Sequence, residues 1–557
     1  MFKKTTIAAA ITISTSVLLV ACGGGNGDNN GTVVGGSTTG SLQGTPTTPL
    51  ALSAAQFTGA LQTSSSGTQL LQLSTAGTAT PNQLPCGVTV SHIVYSTAGG
   101  AGEATNASAA VMVPTGTGAQ CTGARPIVLY AHGTTADQTF NMANITTNSE
   151  ATLVAASFAA QGYIVIAPNY VGYDLPTSGT GPTTLTYHPY VNYKQQSQEM
   201  IDALKAGRAA LATSTVASGS TDSGKLYVTG YSEGGYVAMA ALKGMDAAGI
   251  KVTAGAPMSG PYNLAAYGDA IFYGNTPLGG TLFAPLLTTS YQKAYGNIYS
   301  QPSDGYTANF ASNVEGILAN PTFAASLLSP TALPGLFQSI PDSTGATTDQ
   351  FDPITKTDVT TSKFSFGFSP TNFEVQTTFR AAYVQDAAAN PDGAIPTVTT
   401  GLPASTPANP LRQAFKANDL RGYLPSMPVL MCGGHNDPTV FFKPNGQLSA
   451  GVLANIASSG TPLKFALLDV DQTAVNGDTG AVPFASTGTT AGLSSSVLST
   501  MGATATQLQT GFAQSVQATA AATPTGVSPT VYIASQYHGS LVPPFCTMAA
   551  RTFFQQY

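Results

Sequence analysis

A serine hydroxyl becomes a nucleophile only when a base takes its proton and an acid orients that base. In this 557-residue chain the best-placed serine is Ser232, in Gly230-Tyr231-Ser232-Glu233-Gly234-Gly235. The apolar run Leu226-Tyr227-Val228-Thr229 precedes it and a helix-forming segment follows. Gly-x-Ser-x-Gly in that setting is a tight strand-to-helix turn, whose small neighbours Gly230 and Gly234 let Ser232 project above a sheet. With 60 glycines in the chain the spacing alone says little, and an ordinary Gly-rich turn is the alternative. The flanking strand and helix give the motif its meaning.

Five histidines make the search for a base short. His92 lies before the core strands. His132, in Ala131-His132-Gly133-Thr134, ends a strand in the loop expected to supply oxyanion donors. His188, in Tyr187-His188-Pro189-Tyr190, is read as structural, and His435 lies in the loop of the acid. His538, in Tyr537-His538-Gly539-Ser540 after the last strand, remains as the base. The acid should follow a strand between serine and histidine. Asp437, the only carboxylate of Met431-Cys432-Gly433-Gly434-His435-Asn436-Asp437-Pro438, fits, with Asp469 and Asp471 after the next strand as competitors. The backbone N–H groups of Glu233 and Thr134 are the expected oxyanion donors. The Glu233 side chain is read as solvated or locally paired.

Such a constellation needs a sheet, and the elements around it supply one. Short apolar runs at Pro126 to Ala131, Tyr163 to Ala167, Leu226 to Thr229, Val252 to Pro257, Val429 to Cys432 and Leu463 to Leu468 read as strands buried on both faces. Helical spacing marks Tyr193 to Leu211 and Tyr236 to Met245 between them. The alternation predicts an α/β protein with a mostly parallel central sheet flanked by helices.

The N-terminus carries a different kind of signal. Lys3 and Lys4 precede an apolar stretch from Ile7 to Val20, too short to span a bilayer and suited to an export signal. It ends in Leu19-Val20-Ala21-Cys22-Gly23, which resembles the bacterial lipobox and implies lipidation of Cys22. By resemblance to the sorting rule of Gram-negative lipoproteins, Gly23 implies the outer membrane. The chain is then expected to divide into a signal peptide (1–21), a flexible Gly/Asn/Thr/Ser tether (22–50), a first part of the core (51–261), a mainly helical cap (262–424) and a second part of the core (425–557). Within the last, residues 473–526 form a low-complexity insertion, read as a partly ordered surface excursion. The cap carries Phe272, Phe283, Leu286, Leu287, Phe310, Phe323, Leu327, Leu328 and Phe337, which either pack its own interior or meet substrate.

Apart from Cys22 the cysteines number four, which in an exported protein favours disulfides. Cys86–Cys121, near in sequence, and Cys432–Cys546, which would tie the acid strand to the loop of His538, are the expected pairs. No CxxC spacing suggests zinc, and Asp469, Asp471, Asn476 and Asp478 do not fit an EF-hand loop. No metal and no organic cofactor are expected, since phosphate loops and dinucleotide fingerprints are absent from the sequence. Charged residues are 8%, with 19 Lys+Arg against 25 Asp+Glu and no basic run, which excludes nucleic acid as a partner. A hydrophobic content of 43% supports a large core.

The order strand, His-Gly loop, serine elbow, aspartate, histidine resembles the α/β-hydrolase superfamily over most of residues 85–557. More closely, Pro168-Asn169-Tyr170-Val171-Gly172-Tyr173, His188-Pro189-Tyr190 and Gly230 to Gly235 together resemble the secretory lipase (Candida antarctica lipase A-like) family. That resemblance implies a capped carboxylic ester hydrolase with Ser232, Asp437 and His538 as its triad. The lipoprotein start and the long segment between Asp437 and His538 depart from it. The expected function is a surface-tethered lipase or carboxylesterase, with polyesters among its candidate substrates. A serine peptidase on the same fold, or a non-catalytic surface-binding lipoprotein, are the alternatives.

Overall fold

The computed structural model describes residues 33–34, 37–78, 80–175, 184–213, 216, 219–328, 334–341, 350–473 and 480–557. The signal peptide, Cys22, the first part of the expected tether, Asn476 and Asp478 lie outside the described residues.

A strand covered on both faces needs apolar side chains at successive positions. Residues 127–131 meet this requirement: Ile127, Leu129 and Ala131 enter one core, Val128 and Tyr130 the other. The same split recurs at Ile164/Val165, Val228/Tyr227, Met431/Leu430 and Leu467/Leu468. These runs build a ten-stranded sheet from β1 (Leu42–Leu52), β2 (Gly87–Ala98), β3 (Ala104–Thr115), β4 (Gly123–Ala131), β5 (Ile164–Pro168), β6 (Ser220–Tyr231), β7 (Ala254–Met258), β8 (Val429–Gly433), β9 (Phe465–Asp469) and β10 (Thr490–Ala491). Across the sheet the order is β10-β9-β8-β7-β6-β4-β5-β3-β2-β1. From β9 to β5 neighbouring strands run parallel; the pairs of β3 with β5, β2 with β3, β1 with β2 and β10 with β9 are antiparallel.

Helices α1 (Tyr193–Leu211) and α2 (Glu233–Ala247) cover one face through Met200, Leu204, Val237 and Met245. The cap continues the same apolar core, with α3 (Leu264–Phe272), α4 (Gly280–Tyr295), α5 (Thr377–Ala389) and α6 (Pro410–Asn418) as its main helices. The other face is covered by α7 (Ser495–Ala521) and α8 (Val542–Phe554) together with the helices in 54–74. Among the described residues no helix is long and apolar enough to cross a membrane.

Several charges in the cap are buried and paired, as burial demands. Arg412 on α6 joins Asp269 of α3 and Asp386 of α5, both at 2.8 Å. Arg380 clasps Asp352 through two nitrogens at 2.8 and 2.5 Å, and Arg421 binds Asp392 and Asp419 at 2.6 and 2.9 Å. The Arg412 pairs join α3, α5 and α6, and the other two fasten neighbouring loops.

Two expectations of order are corrected. The tether does not extend to residue 50: Leu42–Leu52 pairs antiparallel with β2, and Leu50 and Leu52 pack against the core. The expected loose excursion at 473–526 holds the 27-residue α7. Val497, Met501, Ala505, Leu508 and Phe512 recur along it at helical spacing and are buried, a stripe that the surrounding Ala, Thr, Ser and Gly conceal.

Cys86 is bonded to Cys121 and Cys432 to Cys546. The second bridge joins β8 to α8, just before and just after the loops that carry Asp437 and His538.

Candidate active site

Register brings three loops together at the carboxyl edge of the sheet. Ala131 of β4 lies beside Gly230 of β6, Tyr231 beside Met258 of β7, and Met258 beside Cys432 of β8. The segments that follow, beginning at His132, Ser232 and Gly434, therefore emerge side by side.

At Ser232 the chain reverses with φ 59 and ψ −122, a left-handed conformation rare for a residue with a side chain. It is over-determined by its surroundings. A Cβ on Gly230 would lie 2.3 Å from Gly234 O, and one on Gly234 would lie 2.0 Å from Ala131 O, so both positions require glycine. The Ser232 N–H donates to Met258 O at 3.0 Å. Ser232 Oγ is 2.7 Å from His538 Nε2, and His538 Nδ1 is 2.6 Å from Asp437 Oδ2. The tautomer that satisfies both contacts has Nδ1–H donating to Asp437 and Nε2 accepting from the serine hydroxyl. Asp437 Oδ1 accepts from the N–H of Thr439 at 2.8 Å and of Val440 at 3.0 Å, which fixes the carboxylate plane. The Tyr231 hydroxyl donates to His538 O at 2.6 Å and holds the histidine loop over the elbow.

Asp469 and Asp471 do not reach His538. Asp469 binds His435, with the His435 N–H donating to Oδ1 at 3.1 Å and its Nδ1 3.0 Å from Oδ2. Asp471 receives Asn436 Nδ2 at 2.9 Å.

The loop after β4 is held from below. Gly133 N–H donates to both oxygens of Glu150, at 3.0 and 3.2 Å, and the Tyr130 hydroxyl donates to Oε1 at 2.8 Å. Burial pushes the Glu150 carboxyl up to about 7, against these hydrogen bonds. Thr134 Oγ1 is 2.9 Å from the Tyr190 hydroxyl. A methyl on Gly133 would sit 3.6 Å from Ser232 Cβ, so this loop and the elbow are in contact. Among the described residues the backbone N–H groups of Glu233 and Thr134 donate to no acceptor. His132 is fully buried, and desolvation lowers it to about 4, which keeps it neutral.

The Glu233 side chain is neither solvated nor paired with a sequence neighbour. It is buried against His188, from 45 positions earlier, at 2.6 Å. The Tyr187-His188-Pro189-Tyr190 segment gave no hint of this partner, because only the fold brings it beneath the elbow.

A cavity of about 100 Å³ opens from Ser232 into the cap. Tyr267, Ile271, Phe283, Leu287, Phe337 and Phe415 line it, and no lining residue is basic. Of the cap residues singled out from sequence, Phe272, Phe283, Leu287 and Phe337 face this cavity. Leu286, Phe310 and Leu327 are buried in the cap interior, Phe323 packs partly buried against the same core, and Leu328 is exposed. Among the described residues no group of three or more His, Cys, Asp or Glu could hold a metal ion.

The mostly parallel sheet, its helical layers and the elbow define an α/β-hydrolase fold. No protein-family model matches the chain, and no curated protein matches it in sequence. Solved structures do. The rice cell wall degrading esterase LipA from Xanthomonas oryzae superposes with TM-score 0.56 at 23% identity, covering 78% of this chain and 91% of its own. A putative hydrolase from Legionella pneumophila gives 0.51 at 17% identity, over 74% and 89%. Candida antarctica lipase A gives 0.41 at 10% identity, over 79% and 78%.

Proposed function

We propose that the protein is a serine carboxylic ester hydrolase, a lipase or carboxylesterase with polyesters among its candidate substrates, working through an acyl-enzyme. The observation that carries this reading is the unbroken chain Ser232 Oγ, His538 and Asp437 at the mouth of an apolar cavity. Ser232 attacks the ester carbonyl carbon while His538 Nε2 takes its proton, and Asp437 stabilises the imidazolium that forms. The tetrahedral oxyanion collapses, its leaving alkoxide takes the proton from His538, and the acyl group stays on Ser232. Water, deprotonated by His538, then releases the acid. The free N–H groups of Glu233 and Thr134 are the donors proposed for the oxyanion.

The apolar cavity suits an acyl chain or another apolar group beside the ester. It offers no basic side chain for a peptide carboxylate, because Arg380, Arg412 and Arg421 are all consumed by buried aspartates. The Xanthomonas oryzae neighbour is an esterase and so agrees in the type of bond cleaved. The lipobox resemblance at Cys22 adds export and a lipid anchor in the bacterial cell envelope, at the outer membrane by the residue that follows. Two acyl chains or more would make that anchor stable.

Turnover of p-nitrophenyl esters from C2 to C16 by the purified full chain, beside Ser232→Ala, tests the reading. Hydrolysis that the substitution abolishes supports it. No hydrolysis of any ester by folded protein counts against it and in favour of the peptidase or binding-protein alternatives.

A further inference from the structure

Glu233 Oε1 is 2.6 Å from His188 Nε2 and accepts from Gln196 Nε2 at 2.7 Å, and the side chains of Glu233 and His188 are both 0% exposed. Glu233 Oε2 has no partner among the described residues. The other ring nitrogen of His188 is 3.0 Å from Val171 O. A neutral imidazole has a single N–H, so oxygen acceptors on both nitrogens favour the imidazolium, and unlike His132, whose two acceptors are main-chain carbonyls, His188 has a carboxylate as one of them. Burial alone would depress His188; the adjoining Glu233 carboxylate outweighs it and holds the ring above the ordinary histidine range. The rings of Tyr170, Tyr173 and Tyr190 pack around the imidazole.

The position of this pair matters because Glu233 directly follows the nucleophile. Its N–H points from the first turn of α2, where Ser232 supplies no side-chain cap. A bare carboxylate on that residue would oppose the negative charge gathering on the reacting ester, and low dielectric would strengthen the opposition. A neutralised and anchored carboxylate does the reverse: it pins the turn and adds no net charge.

We propose that His188 and Glu233 are a charge-compensated positioning pair that fixes the Glu233 N–H toward the oxyanion formed on Ser232. The proposal rests on the ester hydrolase reading. His188 acts through Glu233 and touches no reacting atom.

The test compares wild type, His188→Gln, Glu233→Gln and the double variant by kcat and KM on one p-nitrophenyl ester. Thermal melting and inhibition by an alkyl boronic acid, whose tetrahedral adduct on serine mimics the oxyanion, accompany the kinetics. His188→Gln leaves the carboxylate uncompensated and is expected to lower kcat about a hundredfold, the scale of losing one oxyanion donor, with KM within about threefold. Boronate affinity should fall in parallel. The double variant, neutral on both sides, is expected to recover to within about tenfold of wild-type kcat while its melting temperature does not recover in step; contacting residues couple in stability as well, so it is recovery of kcat apart from melting that distinguishes positioning from a structural role. Single losses that multiply in the double variant, effects confined to KM, or unchanged kcat in folded variants would each overturn the proposal. Should His188→Gln not fold, Glu233→Gln against Glu233→Leu decides: Gln keeps the hydrogen bonds and should hold kcat within about tenfold, Leu should not. Equal kcat in those two overturns it. Absence of ester turnover in wild type would instead remove the hydrolase reading, and the role of the pair with it.

Discussion

The Tyr537 hydroxyl donates to Asp471 Oδ2 at 2.5 Å, immediately before His538 in the chain. Asp469 ends β9, the neighbour of β8, and Asp471 follows it; from there they also grip His435 and Asn436 ahead of Asp437. Two carboxylates that compete with Asp437 on sequence grounds thus fasten both loops that bring Asp437 and His538 together. The sequence favours Asp437 but leaves the other two open, because each lies at or just beyond the end of a buried strand. Strand adjacency separates them.

Asp437→Asn should therefore differ in kind from changes at the other two. It is expected to lower kcat about ten-thousandfold, by disturbing the tautomer and charge of His538, with little change in melting temperature. Asp469→Asn leaves part of a buried network unpaired and should mainly lower stability, by roughly 1–3 kcal/mol, with residual activity kept. Parallel kinetics and melting check this. A near wild-type Asp437→Asn beside a dead Asp469→Asn would reverse the assignment.

The same network carries a pH signature. Burial alone would depress His435, but its hydrogen bond and attraction to Asp469 overcome that and push it up to about 9. A histidine raised on folding stabilises fully below its unfolded value, near 6.5, and loses that contribution as pH rises toward 9. Urea midpoints should fall across that window in wild type and fall less in His435→Gln. Equal slopes in the two proteins would show that His435 is not the source.

The cavity predicts chain-length selectivity. Ala284 lines it on α4, and Ala284→Phe adds bulk to a space of about 100 Å³. Turnover of C12–C16 esters is expected to fall at least tenfold relative to C2–C4, about 1.4 kcal/mol of lost differential binding. A uniform loss over all lengths would mean that the acyl chain does not enter here.

The edge strand β1 gives a test of domain limits. Deleting residues up to 38 leaves Leu42–Leu52 intact, whereas deleting up to 50 strips most of it from β2 and exposes a long edge. The longer deletion should melt several degrees lower and aggregate more readily. Equal melting of the two would make β1 dispensable.

The parallel strands and the elbow were legible because each carries its own signature. Strands buried on both faces read as unbroken apolar runs, and Gly230 and Gly234 flank Ser232 where a side chain would meet backbone. The strands β1 and β2 went unread because polar residues interrupt their apolar ones, and β3 was missed although Ala109-Ala110-Val111-Met112-Val113 is an unbroken apolar run. Helix α7 was hidden in Ala and Thr. The Glu233–His188 pair could not be read at all: nothing local links residues 45 positions apart.

The most direct measurement is covalent. A fluorophosphonate probe reacts with a serine only where a base and oxyanion donors activate it. Incubated with the full chain and analysed by peptide mass, it is expected to add one phosphonate to the peptide containing Ser232, to abolish ester hydrolysis in step with labelling, and to leave Ser232→Ala unlabelled. Labelling at another serine, or ester hydrolysis that survives in Ser232→Ala, would contradict the assignment of Ser232, His538 and Asp437 as one catalytic unit.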